Sequence, residues 1–261
     1  MRHSVPIVRL VCLVALIATA PAAAQTNSRA PAAAGVQKPT FGRPTVHVGL
    51  GYARPEVGEL GRLFQQSVSA YRDLDIPVPV QEPLNGGPAI SISVSVPVQR
   101  TVRIGAAASH TVQRAYALYD DAVGQLDVRS SVKLSTLGAT GQLTGGLGKI
   151  RNYIGASVDA AYANFSFSDR ITATPESAAI NETGFIDRDN SRDLSGFGLV
   201  GSVVVGAEFL FGRYGAYVEG GVRLGTISNL SGSTTTTQPD VLANELSVGG
   251  PIVSAGLVWD L

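Results

Sequence analysis

The sequence is poor in cysteine and lysine, and it has no excess of either charge. Cysteine occurs once in the 261 residues, at Cys12. A single cysteine cannot form an internal disulfide, nor can it hold a metal through several thiolates. Acidic and basic residues number 20 each, so the composition gives no indication of nucleic acid as a partner. Lysine occurs only at Lys38, Lys133 and Lys149.

Long apolar runs are also missing. The longest stands near the N-terminus, where two arginines precede the short apolar run Leu10–Ala18 and small residues follow at Ala22 and Ala24. This order is typical of a secretory signal peptide, which we predict at residues 1–24 and expect to be cleaved. The alternative is an uncleaved N-terminal anchor. Elsewhere no run approaches the roughly 18 residues of a transmembrane helix.

Residues 25–43 are rich in alanine and proline and show no periodicity, which predicts a disordered leader. The folded domain is therefore predicted at 44–261. Throughout this domain apolar residues alternate with small or polar ones, the period of a β-strand. In Ala89–Val98, for example, isoleucines and valines fall on one face and serines on the other.

Two tight hairpins support this interpretation. The connection 99–101 places Val98 opposite Val102, and the turn Gly212-Arg213, with glycine first as a type II′ turn prefers, places Phe209 opposite Ala216. In both hairpins the apolar faces of the two strands coincide. The same rule predicts eight strands: 45–53, 88–98, 102–117, 125–143, 151–168, 194–211, 214–228 and 244–261.

The connections between these strands are alternately short and long, which is typical of an up-and-down meander. Alternation alone does not tell a soluble sandwich from a membrane barrel. Long strands, a polar face made of glycine, alanine and serine, and the need to close the sheet edges favour the barrel. We therefore predict an all-β fold, an eight-stranded antiparallel up-and-down transmembrane β-barrel.

Charged residues of both signs recur on the small-residue face, which would line the lumen. We predict that they pair and plug it, since an unpaired ion in a narrow lumen is costly. The predicted network is Arg103, Asp127, Arg129, Lys133, Asp159, Glu208, Glu219 and Arg223.

One stretch, Pro55–Leu74, has helical rather than strand periodicity. It predicts a short amphipathic helix in the first long loop. Such a helix could cap the barrel mouth, lie on the lipid surface, dock a partner or only pack over the rim. Its predicted apolar face comprises Val57, Leu60, Phe64, Val68 and Tyr71.

Candidate chemical sites are few, and we expect no enzyme activity, metal or cofactor. Asp187–Asp193 has calcium-loop-like acidic spacing but lacks the glycine and distal glutamate of such a loop. Ser109 and His110 are adjacent in a strand and must point to opposite faces, so they cannot form a nucleophile–base pair. His47 is predicted to point inward, near no evident group of serines.

The last strand ends with Ser254, Gly256, Trp259 and Leu261. This spacing, with the signal peptide and the eight strands, resembles the small outer-membrane barrels of Gram-negative bacteria, the OmpA/OmpX type, in which such an ending is a signal for the barrel-assembly machinery. Leu261 departs from the commoner phenylalanine or tryptophan. The resemblance implies termini on the periplasmic side and long loops outside. No peptidoglycan-binding domain is expected after strand eight.

The resulting expectation is a monomeric protein of the cell outer membrane, in contact with its lipid, with a structural or surface-interaction role. What its loops bind is not indicated. Two alternatives remain open: a narrow channel for small solutes, and a soluble exported β-protein that binds a ligand.

Overall fold

The structure, a computed structural model, describes residues 42–55, 58–73, 77–82, 85–121, 124–147, 149–173, 188–234 and 245–261. The predicted signal peptide and nearly all of the leader lie outside these ranges. The described part contains ten strands and one helix: β1 (Thr45–Ala53), α1 (Gly58–Arg72), β2 (Val80–Glu82), β3 (Gly87–Pro97), β4 (Val102–Asp120), β5 (Gly124–Leu147), β6 (Ile150–Ala173), β7 (Arg188–Phe211), β8 (Tyr214–Thr234), β9 (Glu245–Ser247) and β10 (Gly250–Asp260).

Eight of these strands close into a ring in the order β10-β1-β3-β4-β5-β6-β7-β8, with β8 pairing back to β10. Every neighbouring pair is antiparallel. The predicted eight-stranded up-and-down barrel with one short helix is therefore confirmed. Both predicted hairpin registers are also present: Phe209 is opposite Ala216, and the Val98 amide donates to the Val102 carbonyl at 3.0 Å.

The predicted last strand, 244–261, is present as β9 and β10, which pair with β8 in one continuous register and are separated only by Val248 and Gly249. β9 pairs with β8 at Thr226–Ser228 and ends at Ser247, and β10 begins at Gly250. Gly250 has a φ of 144°, a conformation that glycine adopts far more readily than other residues. The irregularity is local, because the Val248 amide donates to the Gly225 carbonyl at 3.0 Å and the register with β8 is the same on both sides.

The strands of the ring differ in length by more than twofold. β1, β3 and β10 have 9, 11 and 11 residues, whereas β4 to β8 have between 19 and 24. Five consecutive strands therefore continue past the ends of the other three. We call these extensions the wall: Arg114–Asp120, Gly124–Ser135, Asn164–Ala173, Arg188–Ser195 and Thr226–Thr234.

The wall begins where β3 and β10 end, so its outer strands β4 and β8 lose their neighbours there. Unpaired strand edges are prone to pairing with other chains. The two short strands cover part of these edges, because β2 pairs with β4 at Val80 and Ala117, and β9 pairs with β8. β2 belongs to the first long loop, whereas β9 continues β10 along β8 in the same register.

Side-chain polarity reverses between the barrel and the wall. Near the turn of β5, Gln142 is buried inside and Leu143 is exposed outside, but farther along the strand Val128 is buried inside and Arg129 is exposed outside. β6 behaves in the same way, with Val158 exposed outside the barrel and Phe165 buried inside the wall. The barrel is therefore polar inside and apolar outside, and the wall is the opposite.

Helix α1 packs against the concave side of the wall. Phe64, Val68 and Tyr71, which recur at helical spacing, are all buried in a core with the inward residues of β4 to β8. The Tyr71 hydroxyl donates to Asp169 Oδ1 at 2.5 Å. Of the predicted apolar face, Val57 and the side chain of Leu60 lie outside the described part. The helix fills the mouth instead of covering only its rim.

We predict that Phe64→Ala releases the helix. Phe64 is fully buried, and removing a buried phenylalanine side chain costs about 3–5 kcal/mol. The measurement is the rate of limited trypsin cleavage at the helix arginines in the detergent-solubilised protein. The neighbouring Gln65→Ala, at an exposed position, is the control and should change the rate little. Equal rates for both variants would contradict the docking.

Candidate functional site: the lumen and the outer face

Five ionisable side chains meet inside the barrel near its short turns, and we call them the luminal cluster: His47, Arg103, Arg151, Glu208 and Asp260. The fully buried Glu208 carboxylate stands at the centre. His47 Nε2 lies 3.0 Å from its Oε1, and Arg151 donates to its other oxygen. Arg103 Nη1 lies 3.5 Å from Oε1, an ion pair without hydrogen-bond geometry.

The cluster is balanced in charge, which allows it to be buried. Arg151 also contacts Asp260 Oδ1 at 3.2 Å, and Thr45 Oγ1 donates to the same oxygen at 2.6 Å. Two guanidinium groups thus face two carboxylates, with His47 as a further partner of Glu208. Buried charges are tolerated only when they are paired and hydrogen-bonded. Because its charges are paired, the cluster can stay buried, and it closes this end of the lumen.

Tyrosines fill the next layer of the lumen. The Tyr153 hydroxyl donates to Glu219 Oε2 at 2.7 Å, and Ser254 Oγ donates to Oε1 at 2.7 Å. Tyr217 lies so close to Gly49 that a Cβ there would stand 1.9 Å from the tyrosine oxygen. Glycine on the inward face therefore makes room for an aromatic ring from a nearby strand.

Above the tyrosines lies a cavity of about 110 Å³, lined largely by serine, threonine and charged side chains. Arg223 Nη2 donates to Ser109 Oγ at 2.9 Å. On the opposite side of the cavity, Ser157 Oγ donates to Asp159 Oδ2 at 2.7 Å. A space of this size and polarity holds a few water molecules. Beyond it begins the core around α1, which closes the other end.

The structure places five of the eight predicted network residues inside the barrel: Arg103, Asp159, Glu208, Glu219 and Arg223. The prediction is wrong for Asp127, Arg129 and Lys133. These three lie in the wall section of β5, whose inward residues, such as Val128 and Val132, are apolar and buried. Because polarity reverses along the strand, the polar face of this section points outward.

On the outer face, Arg129 contacts two neighbouring side chains, Asp127 and Tyr116. Its Nε donates to Asp127 Oδ1 at 2.7 Å, and its guanidinium lies 5.7 Å from the ring centroid of Tyr116. The hydrogen bonds to the Asp127 carboxylate raise the pKa of Arg129 above its ordinary value. Asp127 and Arg129 therefore neutralise one another and contribute little net charge to the wall.

Sequence reasoning missed two members of the inner arrangement. Arg151 follows a turn by a single residue, but it has the same parity as the inward Asp159, and this parity is a signal that could have identified it. The second miss is Ser93: contrary to the expectation, a serine does lie beside His47, with its Oγ 3.3 Å from Nδ1. Ser93, His47 and Glu208 are thus connected in series.

Ser93, His47 and Glu208 follow one another in the order of a nucleophile, a base and an acid. Their surroundings favour a structural role, in which the three side chains hold one another in place. The Glu208 carboxylate already binds two arginines, and the adjacent cavity has room for little more than water. His110 lies on the outer face, where its Nδ1 is 2.9 Å from Ser135 Oγ. The Ser109 side chain, by contrast, contacts Arg223 inside.

The other predicted sites lie at the margins. In β10, Ser254 and Gly256 belong to the inward series, whereas Leu261 is exposed and its amide donates to the Pro44 carbonyl at 2.8 Å. Trp259 is opposite Val46 and Tyr214 in the neighbouring strands. Within Asp187–Asp193, residue 187 and the side chains of 188 and 189 lie outside the described part. No helix among the described residues is long and apolar enough to cross a bilayer.

We predict that Glu208→Gln destabilises the barrel by about 3–5 kcal/mol, because it leaves buried guanidinium groups without their counterion. The free energy is measured by urea unfolding in lipid vesicles. Asp120→Asn, at an exposed position, is the matched control and should change it by less than about 0.5 kcal/mol. Adding Arg151→Gln to Glu208→Gln should recover part of the loss. Similar free energies for both single variants would contradict a structural role for the cluster.

Comparison with known proteins finds similarity only among solved structures, since no family model and no curated protein matches the sequence. Neisserial surface protein A has 14% identity, with 84% of this chain and 96% of that chain covered and a TM-score of 0.38. Ail, the attachment invasion locus protein of Yersinia pestis, has 11% identity, with 83% of this chain and 99% of that chain covered and a TM-score of 0.37. The outer membrane protein OprG of Pseudomonas aeruginosa has 11% identity, with 84% of this chain and 95% of that chain covered and a TM-score of 0.38.

At these values the comparisons add nothing to what the strand pairings establish. The pairings show that the chain is an eight-stranded antiparallel up-and-down β-barrel.

Proposed function

We propose that the protein spans the outer membrane as a closed barrel and has a structural or surface-interaction role, with the wall and α1 as its contact surface. The observation that carries this proposal is the reversal of side-chain polarity between barrel and wall. A strand that passes from lipid into water needs such a reversal, whereas a strand surrounded by water along its whole length does not.

The outer face of the barrel supports a lipid environment. Large apolar side chains point outward from all eight strands of the ring, with exposed fractions that reach 68% at Leu50, 66% at Val158 and 69% at Leu199. Soluble proteins rarely expose contiguous apolar patches beyond a few hundred Å². The soluble alternative would leave this whole belt in water.

The height of the apolar belt also matches a membrane. On β6 the outward apolar residues extend from Ile150 to Tyr162. Twelve steps of roughly 3.3 Å, in a strand tilted by about 40°, give a height of about 30 Å, close to that of a bilayer core. Beyond Tyr162 the outward residues of β6 are polar, starting at Asn164.

The closed lumen favours the structural role over the channel alternative. The luminal cluster occupies one end, and the core around α1 occupies the other. Between them lies a cavity of about 110 Å³. A small solute would have to displace buried ion pairs or a docked helix in order to pass.

We propose that a partner would bind at the wall. By the resemblance to outer-membrane barrels, the side opposite the short turns is the cell exterior, and this is where the wall stands. Its polar outer face and the exposed side of α1 are presented there. The C-terminal strand β10, with Ser254, Gly256, Trp259 and Leu261, is our proposed contact for the assembly machinery, and we propose a monomer.

We predict opposite tolerance to a charge on the two sections of β6. Val158→Arg should destabilise the barrel by about 2–4 kcal/mol, because it places a charge near the middle of the belt. Thr172→Arg, at an exposed position of the same outward face in the wall and opposite Gln125, should cost less than about 0.5 kcal/mol. The measurement is reversible unfolding in lipid vesicles. Equal costs would argue against a membrane around the barrel.

We further predict that the purified protein produces no stepwise ion conductance in planar bilayers. Its insertion is verified separately by heat-modifiable migration in gels and by its presence in the outer-membrane fraction. Resolved conductance steps from inserted protein would favour the channel. Recovery of the mature protein in the soluble periplasmic fraction would exclude the proposed function altogether.

A further inference from the structure

Three basic residues stand at the upper boundary of the apolar belt, on one side of the barrel. Arg54 directly follows β1, Arg114 is the 13th residue of β4 counted from Val102, and Lys133 is the 15th of β5 counted from Leu147. All three are exposed. The last large apolar residue below Lys133 on the same face is Leu137. They are the first charges that these strands present beyond the belt.

Arg114 and Lys133 form the centre of this group. In the β4–β5 register Arg114 is opposite Ser131, and Lys133 is opposite Val112, so the two are diagonal neighbours on one face. Such positions lie about 7–8 Å apart. Long basic side chains at this separation can both reach a single phosphate group.

Among the described residues, none contacts the charged groups of Arg54, Arg114 or Lys133 through a hydrogen bond or ion pair. Of the acidic side chains described on this face, Asp127 is paired with Arg129. The backbones of Asp193 and Arg114 are three strands apart, roughly 14 Å.

The surface around Arg114 is shaped as well as charged. Two surface hollows of about 570 and 650 Å³ share Arg114 in their lining. The first continues over the hydroxyl groups of Ser131, Ser166 and Ser168 and is bounded on its far side by Asp193. The second is bounded by Tyr52 and the backbone at Gly86 and Gly87. Hydroxyl donors beside a guanidinium, with an aromatic ring at the edge, suit a phosphate on an amphipathic molecule.

We propose that Arg54, Arg114 and Lys133 bind the phosphate groups of anionic lipid in the leaflet on the wall's side of the membrane. This inference rests on the proposed function, since it requires the belt to be immersed in lipid. Basic residues next to a membrane surface attract anionic lipid at about 1 kcal/mol each. Here Arg114 and Lys133 lie on the paired strands β4 and β5, at the expected depth of the lipid head groups. Their position on these strands fixes where the lipid is retained.

The test measures retention of phosphatidic acid by native mass spectrometry, after release of the protein from bilayers that contain phosphatidic acid and phosphatidylcholine. The variant is Arg54→Gln/Arg114→Gln/Lys133→Gln. The matched control is Arg100→Gln/Lys149→Gln/Arg213→Gln, which removes the same charge from three exposed turn residues at the opposite end. We expect the variant to retain about tenfold less phosphatidic acid than the wild type, and the control to resemble the wild type.

Several outcomes would overturn the inference. Equal retention by wild type and variant would show that these residues do not bind the lipid, and an equal loss in the control would reduce the effect to net charge. Displacement of the lipid by inorganic phosphate alone would identify a site for free phosphate instead. Insertion into pure phosphatidylcholine vesicles is measured first, so that a failure of the membrane barrel itself is distinguished from a failure of lipid binding.

Discussion

A β-strand cannot change the direction of its side chains without breaking its pairing, and the rest of this structure depends on that constraint. Successive residues point to opposite faces along the whole strand. β5 and β6 pair without a register shift over 24 residues, so each residue position has a fixed side. When the surroundings of such a strand change from lipid to water, only the chemical character of the residues can change. The reversal of polarity is the outcome.

Two different interiors follow from this reversal. Inside the lipid belt the inward face is polar, and it is stabilised by paired ions around Glu208 and by tyrosines packed against glycine. Inside the wall the inward face is apolar, and it needs an apolar partner that the barrel strands alone do not supply. Helix α1 is that partner, and Phe64 and Val68 complete the core. One chain therefore combines a barrel that is polar inside and apolar outside with a core of the kind found in soluble domains.

The alternation of residues was sufficient to predict the ring, because period two, tight turns and strand count are local properties. It also identified inward residues of the barrel section, such as Arg103, Glu208 and Arg223. It failed for Lys133, since the rule that the polar face lines the lumen was extended past the end of the belt. The link from Ser93 through His47 to Glu208 could not be predicted, because it joins β3, β1 and β7 across the lumen and depends on side-chain directions in the closed ring. The same is true of the helix position.

The order of elements along the chain has a kinetic consequence for the helix. α1 stands between β1 and β3, early in the sequence, whereas the core that receives it is built by β4 to β8; Tyr71 and its partner Asp169 are 98 residues apart. Contacts over such separations form late, because the intervening chain must first be ordered. The helix therefore cannot dock before the long strands that build its core have paired.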